Sequence, residues 1–359
     1  MSLPSTSARG TLAAAALGFV VVLLDVSVVN VALDALRQEF ATDVAGLQWV
    51  INAYTLVFAA LLLTSGALGD RLGARRIFLA GFLVFTVASA ACGLSGSLGM
   101  LIAARLVQGL GAALLVPNSL AMLQQAFPDR EQRSRAVGWW GAFGGVSLAA
   151  GPVLGGMLVT HMGWRSIFLI NLPIGLIGIH LTLRHVAAHG GARRRGLDWA
   201  GQAAAILALA ALTMALTEAA RLGWTHGLVQ GGLWAAAATI LGFIWIEARG
   251  RSPMLPLELF KVSTFAVASL AGVIVNFAYY GLIFVFSLFF QVQQQLSPQL
   301  TGLAFLPMTI VLMAVNVLAG RLITRLGARV LMVLGLALAA VGYGLLMPVS
   351  VDGSYWLLV

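Results

Sequence analysis

The chain has 359 residues, of which 60% are hydrophobic and 9% are charged, and its mean hydropathy is +0.97. Because a soluble domain carries about 25% charged residues, this composition excludes a soluble protein and predicts an all-α polytopic membrane protein. The net charge of +9 does not predict a nucleic-acid partner, since the basic residues fall into short loops beside a lipid bilayer.

Eleven apolar runs are long enough to cross that bilayer as helices. They cover residues 12–33, 48–69, 77–96, 99–124, 135–160, 164–183, 199–217, 229–247, 265–288, 300–320 and 329–348. A twelfth run begins near Tyr355 and meets the last residue, Val359, so we expect the sequence to be a fragment of a longer chain.

Basic residues between these runs indicate the orientation of the chain. With the N-terminus in the cytoplasm, the inside segments carry seventeen arginines and lysines, and the outside segments carry three, Arg37, Arg165 and Arg221. Positive residues favour the cytoplasmic side of a membrane. The sequence therefore predicts a multi-pass protein of the plasma (cytoplasmic) membrane with a cytoplasmic N-terminus.

Asp25 is the one acidic residue well inside a predicted span. A carboxylate within the bilayer is costly and is usually kept there for a function. Removal from water favours the neutral form of a carboxyl group, which makes protonation near neutral pH feasible. Two interpretations follow: a proton carrier, which we favour, and a structural carboxylate permanently paired with an arginine.

Two predicted spans each carry a polar stripe along one helical face. The stripes are formed by Gln48, Asn52 and Thr55 in the second span and by Asn276, Tyr279 and Tyr280 in the ninth. Polar faces in lipid point toward the protein interior, so the two stripes can line a central substrate cavity with aromatic walls. Hydrogen bonding between helices explains any single one of these residues equally well.

A short charged turn joins the second and third spans. Its glycines and charged residues are Gly66, Gly69, Asp70, Arg71, Gly73, Arg75 and Arg76. A related pattern recurs at residues 320–329, where Gly327 matches Gly73 and Thr324 stands opposite Asp70. The shared glycine spacing favours two related halves over a pair of ordinary positive loops. Gly73 is expected to need a positive φ, which would strain a branched side chain.

Arg105 is the one basic residue deep inside a span, and Gln108 lies on the same side of that helix. A buried guanidinium needs acceptors, which Asp25 or facing carbonyls can supply. From the spacing alone, Arg105 has either a coupling role or a structural role in holding the helix bundle together, and the two are equally open. Since Arg105 would oppose protonation of Asp25, we expect the two to sit apart or to separate during the cycle. We assign Gln108 to the substrate cavity.

The fifth span is rich in glycine around a single proline. The run contains Gly141, Gly145, Gly151, Pro152, Gly155 and Gly156. GxxxG spacing permits close helix contact. Pro152 cannot donate a hydrogen bond to the carbonyl of Leu148, so the helix is expected to bend there. A smooth, bent helix suits an interface that slides, and plain packing is the alternative.

These motifs together resemble the major facilitator superfamily, and within it the fourteen-spanner drug:proton antiporter family, often called EmrB/QacA-type. Five segments each resemble a motif of that family: residues 24–33, 66–76, 105–112, 151–156 and 163–175. The first-span motif usually ends in proline, whereas here Asp34 follows Leu33.

The resemblance implies a major facilitator fold of two pseudo-symmetric six-helix halves. The N-terminal half would be residues 1–185, the partial C-terminal half residues 251–359, and a basic linker with two inserted transmembrane helices would occupy residues 186–250. The resemblance also implies that Asp25 is the proton and cation site, that Arg105 is a coupling residue, and that Asp70 belongs to a cytoplasmic gate.

The leading hypothesis is a secondary transporter and not an enzyme: a proton-coupled antiporter that exports amphipathic, cationic drugs. The sequence has no metal-ligand spacing, nucleotide-binding loop or nucleophile motif, so we expect no cofactor and a proton gradient as energy source. The alternative is an exporter dedicated to one natural product, such as an antibiotic, siderophore or lipid. A non-transporting receptor on the same fold is a third interpretation. Expected partners are a small-molecule substrate, the lipid bilayer and a periplasmic adaptor, and the expected state is monomeric.

Overall fold

The apolar runs form long helices in the structure, a computed structural model that describes residues 6–188, 198–250, 253 and 255–346. The predicted N-terminal half contains α1 (Thr6–Val31), α2 (Leu33–Phe40), α3 (Val44–Leu72), α4 (Ala74–Gly93), α5 (Leu98–Ala126), α6 (Arg130–Met162), α7 (Ser166–Leu169) and α8 (Asn171–His185). Such helices satisfy their own backbone hydrogen bonds, as lipid requires.

The later part of the chain is helical as well. The two predicted inserted helices are α9 (Trp199–Leu222) and α10 (Gly227–Arg249). The predicted partial C-terminal half contains α11 (Ser263–Leu288), α12 (Pro298–Ala304) and α13 (Leu306–Leu346), with a 3-10 turn at Leu257–Lys261 and a π-helical turn at Phe289–Gln293.

The predicted all-α polytopic architecture is confirmed. Across the described ranges no strand occurs, and ten helical segments are long and apolar enough to cross a membrane. The tenth predicted span, 300–320, is met by a shorter apolar helix, Leu300–Leu312. The apolar run at Tyr355 and the arginines of residues 193–195 lie outside the described residues.

Acidic and hydroxyl side chains fix where several spans begin. Asp43, Asp129 and Asp198 each precede a helix and accept a hydrogen bond from the backbone N–H three residues on, at 2.9, 2.9 and 2.8 Å. Ser97 does the same for α5 at 3.2 Å. These caps satisfy N–H groups that the first turn of a helix leaves unpaired. They place the starts of α3, α5 and α6 ahead of the predicted spans.

Two predicted spans are interrupted. The first ends at Val31, and the short helix α2 begins at Leu33 with Asp34 in its first turn. The sixth is divided between α7 and α8 at Ile170, which makes Asn171 the first residue of α8. Hydropathy does not reveal these breaks, because the apolar composition continues through both.

The two related turns share a backbone conformation. Gly73, the single residue between α3 and α4, has φ 96° and ψ 125°. Gly327 has φ 77° and ψ 158° and divides α13 at the boundary between the tenth and eleventh predicted spans. Residues with a side chain rarely adopt positive φ. The positive φ expected at Gly73 is thus confirmed, and its recurrence at Gly327 supports the predicted repeat.

Contacts between helices show which loops lie at the same end of the molecule. Arg75, at the start of α4, donates to the carbonyl oxygen of Leu183 near the end of α8 at 3.0 Å. Arg165, just before α7, pairs with Glu39 of α2 at 3.0 Å. We call these the Gly73 end and the Arg165 end. The Gly73 end is the one that the sequence assigns to the cytoplasm.

Packing is dense in the N-terminal half and open in the C-terminal part. One buried cluster centres on Phe78, Phe82 and Phe85 of α4. A second, toward the Arg165 end, includes Leu101 and Phe168. Helices α11 and α13 instead expose many of their large apolar side chains. Exposed apolar surface of this kind suits contact with lipid.

Candidate functional site

Asp25 and Arg105 form a buried ion pair between α1 and α5. Arg105 Nη1 lies 2.5 Å from Asp25 Oδ2, and the two side chains are 1% and 0% exposed. Arg105 Nε also donates to the carbonyl oxygen of Val50 at 3.1 Å. The guanidinium lies over the ring of Tyr54, 4.3 Å from its centroid. The buried cation thus has a carboxylate, a carbonyl and an aromatic face as partners.

Two amides and a hydroxyl complete the surroundings of Asp25. Gln108 Nε2 and Asn171 Nδ2 both donate to Asp25 Oδ1, at 2.7 and 2.8 Å. Ser89 Oγ accepts from the same two amides at 2.8 and 3.3 Å. Each of these side chains is fully buried. The residues Asp25, Ser89, Arg105, Gln108 and Asn171 are called the Asp25 cluster below.

The Asp25 cluster meets the conditions under which a buried ion pair persists. Removing two charges from water costs several kcal/mol per ion, and attraction offsets this only when the remaining polar atoms are also bonded. Asp25 accepts three hydrogen bonds, and Arg105 donates to Asp25, Val50 and Gln108. Loss of either charged partner alone would leave the other buried and uncompensated, at a cost of about 3–5 kcal/mol.

Sequence reasoning found part of this cluster and missed the rest. Asp25 and Arg105 were expected to sit apart or to separate; here they are in contact, and separation stays a prediction. Gln108 was assigned to a substrate cavity, but its amide is used within the cluster. Ser89 was not identified because it lies in an apolar span, and Asn171 because the break before α8 is invisible to hydropathy.

The polar stripe of the second span faces α9. Asn52 Nδ2 donates to Thr217 Oγ1 at 3.0 Å, and Trp49 Nε1 donates to Glu218 Oε1 at 3.3 Å. Nearer the Gly73 end, Gln202 donates to the carbonyl of Ala60 at 2.8 Å and accepts from Thr64. A ladder of polar contacts thus joins α3 to α9, the bonding between helices that was the alternative for Asn52.

The other stripe residues are only partly engaged. Gln48 is half-buried and its Oε1 has no hydrogen-bond partner. Thr55 is exposed and bonds to the preceding turn of α3. Asn276 is exposed in the same way on α11, where Tyr279 and Tyr280 are half-buried with ring centroids 5.3 Å apart. Among the described residues no hydrogen bond joins the two stripes, so the central cavity stays a prediction.

The glycine–proline run of α6 packs between α1 and α12. Ser27 Oγ of α1 donates to the carbonyl oxygen of Leu148 at 2.7 Å, the acceptor that Pro152 leaves without its helical N–H. A Cβ at Gly151 would overlap the side chain of Ser27. On another side, a Cβ at Gly302 of α12 would overlap the carbonyl oxygen of Pro152.

The part of α6 that faces α1 differs from the predicted pair Gly141 and Gly145. Gly141 is exposed, with open space around it. Gly144 packs against Phe19 instead, and Ser147 donates to a carbonyl of α1 at 2.8 Å. The contact continues through Gly151 and Gly155, and Gly156 is buried as well. The shift arises because residues 144, 147, 151 and 155 lie on one side of a helix, whereas 141 does not.

The charged turn at the Gly73 end is packed at its glycines and open at most of its charges. Gly69 faces Asn118 so closely that a Cβ would overlap the amide, whereas a Cβ at Gly66 would make an ordinary contact with Pro117 Cβ at 3.8 Å. Asp70, Arg71 and Arg76 are exposed. Asp70 makes no hydrogen bond or ion pair with a described residue, so its role in a gate stays a prediction.

Comparison with known sequences gives one family and several named relatives. A family model described as Major Facilitator Superfamily matches residues 15–359. Multidrug resistance protein Stp of Mycobacterium tuberculosis is 40% identical over 332 residues, which is 92% of this chain and 62% of Stp. Methylenomycin A resistance protein of Streptomyces coelicolor is 40% identical over 344 residues, 96% of this chain and 72% of the relative. Tetracenomycin C resistance and export protein of Streptomyces glaucescens is 34% identical over 342 residues, which is 94% of this chain and 63% of the relative.

Solved structures with a similar fold include two transporters. A bacterial homologue of the human drug peptide transporters PepT1 and PepT2 superposes with a TM-score of 0.66 at 16% identity, over 98% of this chain and 79% of that one. The proton:xylose symporter XylE superposes with a TM-score of 0.58 at 13% identity, over 90% of this chain and 70% of XylE. At these identities the likeness concerns the fold alone.

Proposed function

Because the chain belongs to the major facilitator superfamily, we propose that it is a proton-coupled antiporter that exports amphipathic, cationic drugs from the cytoplasm. Membership of this family supports a transporter of small molecules within a membrane over an enzyme. The observation that carries the proposal is the Asp25 cluster, a buried carboxylate within a chain whose relatives are named for drug resistance and export.

Protonation of Asp25 is the step that links the proton to movement. With Asp25 ionised, Arg105 has a counterion and the cluster is electrically balanced. A proton on Asp25 removes that balance and leaves a buried guanidinium without a negative partner, which is strongly unfavourable. The helices that carry the two residues, α1 and α5, then have reason to rearrange. Proton binding therefore favours one of two conformations, as an antiporter requires.

A cationic substrate fits the same scheme because it competes for one negative charge. In its ionised form Asp25 attracts a cation, and in its protonated form it does not. Proton and substrate would thus bind in turn, with the proton gradient as the energy source and no cofactor. Hydrophobic and aromatic groups of the substrate would rest on the half-buried pair Tyr279 and Tyr280 of α11.

The proposal extends to the finer type and setting of the protein. We assign the chain to the fourteen-spanner EmrB/QacA type, with α9 and α10 as the inserted pair between halves 1–185 and 251–359. It would lie in the plasma membrane with a cytoplasmic N-terminus, as the distribution of basic residues supports. It would act as a monomer, with a periplasmic adaptor as partner.

A second candidate is an exporter dedicated to one natural product. It is favoured by the names of two relatives, which concern methylenomycin A and tetracenomycin C. The two candidates share the Asp25 cluster and differ only in the breadth of substrates.

A resistance and dye-efflux panel separates the candidates. The full-length protein is expressed in cells that lack their own pumps and is challenged with cationic dyes and with structurally unrelated antibiotics, beside the Asp25→Asn variant at matched expression. Resistance to several cationic compounds, lost in the variant, supports drug efflux, whereas resistance to a single compound supports the dedicated exporter. Absence of any export by the wild type would contradict both and favour a non-transporting receptor.

A further inference from the structure

The amide of Asn171 uses only half of its hydrogen-bonding capacity in the described part of the chain. Its Nδ2 donates to Asp25 Oδ1 at 2.8 Å and to Ser89 Oγ at 3.3 Å. Its Oδ1 is buried and has no hydrogen-bond partner. A buried acceptor without a partner is costly and uncommon in folded proteins. The unused oxygen lies on a residue that already contacts the candidate proton site.

The cluster in its present arrangement accommodates only an ionised Asp25. Oδ2 of Asp25 faces the Nη1 of Arg105, and Oδ1 faces the amide nitrogens of Gln108 and Asn171. All three neighbours are donors. A proton added to either carboxyl oxygen would therefore point at another donor and would have no acceptor.

The other titratable groups around Asp25 do not supply that acceptor. The hydroxyl of Tyr54 on α3 donates to the carbonyl of Val22 and makes no hydrogen bond with Asp25. The thiol of Cys92 on α4 donates to Gln108 Oε1 at 3.5 Å. Tyr280 of α11 is half-buried and makes no hydrogen bond with the carboxyl group. The acceptor must come from within the Asp25 cluster.

Of the two amides that contact Asp25, only Asn171 is free to turn. Gln108 Oε1 already accepts from Arg105 Nη1 at 2.8 Å, so reversing that amide would place its NH₂ group against the guanidinium. Asn171 Oδ1 has no bond to lose among the described residues, and the turn gives up only the donation from Nδ2 to Ser89 Oγ at 3.3 Å besides the bond to Asp25. A half-turn about its Cβ–Cγ bond exchanges Nδ2 and Oδ1 and presents an acceptor to Asp25 Oδ1.

We propose that Asn171 is a positioning residue that responds to the protonation state of Asp25. Its Nδ2 donates to the carboxylate, and after a half-turn its Oδ1 accepts from the O–H of the neutral acid. The amide does not carry the proton itself, and it offers a hydrogen-bond partner to either form of the Asp25 carboxyl group. The inference rests on the proposed function only in that Asp25 gains and loses a proton during transport.

Infrared difference spectroscopy tests this inference without measuring transport. The full-length protein in liposomes is titrated with acid, and the C=O stretch of protonated carboxyl groups is recorded. Asp25→Asn identifies the band of Asp25 by its loss. In Asn171→Leu, which keeps the branching of the side chain and removes the acceptor, we expect the Asp25 band to move to higher frequency because its O–H loses a hydrogen bond. Asn171→Val is measured by the same criterion if the leucine variant does not fold.

Thr182→Val is the matched control on the same helix. Thr182 is fully buried and its hydroxyl bonds only to the carbonyl of Gly178, at 2.6 Å, so the variant also loses one buried polar group of α8 and should leave the band unchanged. An Asp25 band at the wild-type frequency in the Asn171 variants would overturn the inference, as would the absence of any Asp25 band in the wild type. Failure of the wild type to export drugs would instead count against the proposed function.

Discussion

Asp25 has the hydrogen-bond donors that a buried ion pair needs. Arg105 supplies the opposite charge, while Gln108 and Asn171 donate to the second carboxylate oxygen. A buried pair persists only when its remaining polar atoms are also bonded, and each of these donors needs an acceptor, which a carboxylate oxygen supplies. Under the proposed function, a proton on Asp25 would therefore require its neighbours to rearrange.

The first prediction concerns Asp25 itself. Asp25→Asn mimics the protonated acid and should abolish uphill, proton-driven efflux, while Asp25→Glu should keep part of it. The reason is that both charge states of residue 25 are needed in each cycle. Substrate-induced proton release in proteoliposomes, followed with a pH-sensitive dye, measures the effect.

Asp34→Asn is the matched control for that experiment. Asp34 lies nine positions further along in α2 and pairs with Arg37, so its loss should leave proton release near the wild-type level. Full proton release and uphill export by Asp25→Asn would show that the proton travels through another residue.

In helix α6, a backbone carbonyl that lacks its helical donor receives a hydrogen bond from the neighbouring helix α1. Pro152 removes one backbone N–H, and Ser27 of α1 donates to the carbonyl oxygen of Leu148 in its place. Ser27 is 2% exposed, so water does not replace it readily. An unpaired buried carbonyl costs about 1–3 kcal/mol.

The second prediction is that Ser27 and Pro152 are energetically coupled. Ser27→Ala should lower the free energy of unfolding by about 1–3 kcal/mol, because the carbonyl of Leu148 then has no donor. In the Pro152→Ala background the restored helical N–H satisfies that carbonyl, and the same serine change should cost less than about 0.5 kcal/mol. Thermal unfolding of the four proteins in one detergent measures both. If Ser27→Ala lowers the free energy of unfolding equally with Pro152 and with Ala at position 152, Ser27 does not act as the replacement donor.

The third prediction uses the positive φ that the two related turns share. Gly73→Val and Gly327→Val should each strain the backbone by about 1–3 kcal/mol, because both glycines have positive φ. Both should impair transport, because both turns are predicted to join spans on the cytoplasmic side. Gly223→Val is the matched control: it has φ 82° and open space around it, in the loop between α9 and α10. Dye efflux at matched expression is the measurement. If Gly223→Val impairs efflux as much as Gly73→Val, the strain acts through stability and the gate assignment fails.

Asp70→Ala completes the test of this turn. Asp70 is exposed and makes no ion pair with a described residue, so its removal should leave stability unchanged. If Asp70 acts by placing a charge at a helix N-terminus of the other half, worth about 1–2 kcal/mol, efflux should fall. Normal efflux by Asp70→Ala and by Gly73→Val would remove the turn from the gate.

Elements were predictable from the sequence where one physical signal decided them. Long apolar runs located the spans, and glycine spacing located the turn at Gly73 and its positive φ. The break at Ile170 was missed because hydropathy does not register it, although Pro173 cannot donate a hydrogen bond to the carbonyl of Leu169. The contact of Asn52 with Thr217 was missed because helical periodicity identifies a polar face but not its neighbour.

At the scale of the whole molecule, the alternating helices separate basic from non-basic loops. The fourth prediction follows: reporter fusions after Arg195 and after Arg221 should report opposite sides of the membrane, the first cytoplasmic. Basic residues are concentrated in the loops of the Gly73 end, and the positive-inside rule assigns that end to the cytoplasm. A compartment-sensitive pair of reporters, one active on each side, measures this. The same side for both fusions would contradict the topology.

The described contacts between the predicted halves lie toward the Arg165 end. Ser287 Oγ of α11 donates to the carbonyl oxygen of Asn30 at 2.5 Å. Gly302 of α12 packs directly on the carbonyl of Pro152. Under the proposed orientation, these two contacts lie on the outside. Alternating access would require them to open and close in every cycle.

The fifth prediction is that Gly302→Val prevents this closure. A Cβ at residue 302 would occupy the position of the Pro152 carbonyl oxygen, and backbone atoms cannot yield as a flexible side chain does. The variant should insert normally yet lose efflux by at least about tenfold, equivalent to about 1.4 kcal/mol against the closed state. Gly281→Val on α11, where a Cβ meets open space, is the matched control and should retain efflux. The added side chain fits only if α12 and α6 stay apart at this point. Wild-type efflux by Gly302→Val at equal expression would therefore show that transport does not need this contact to form.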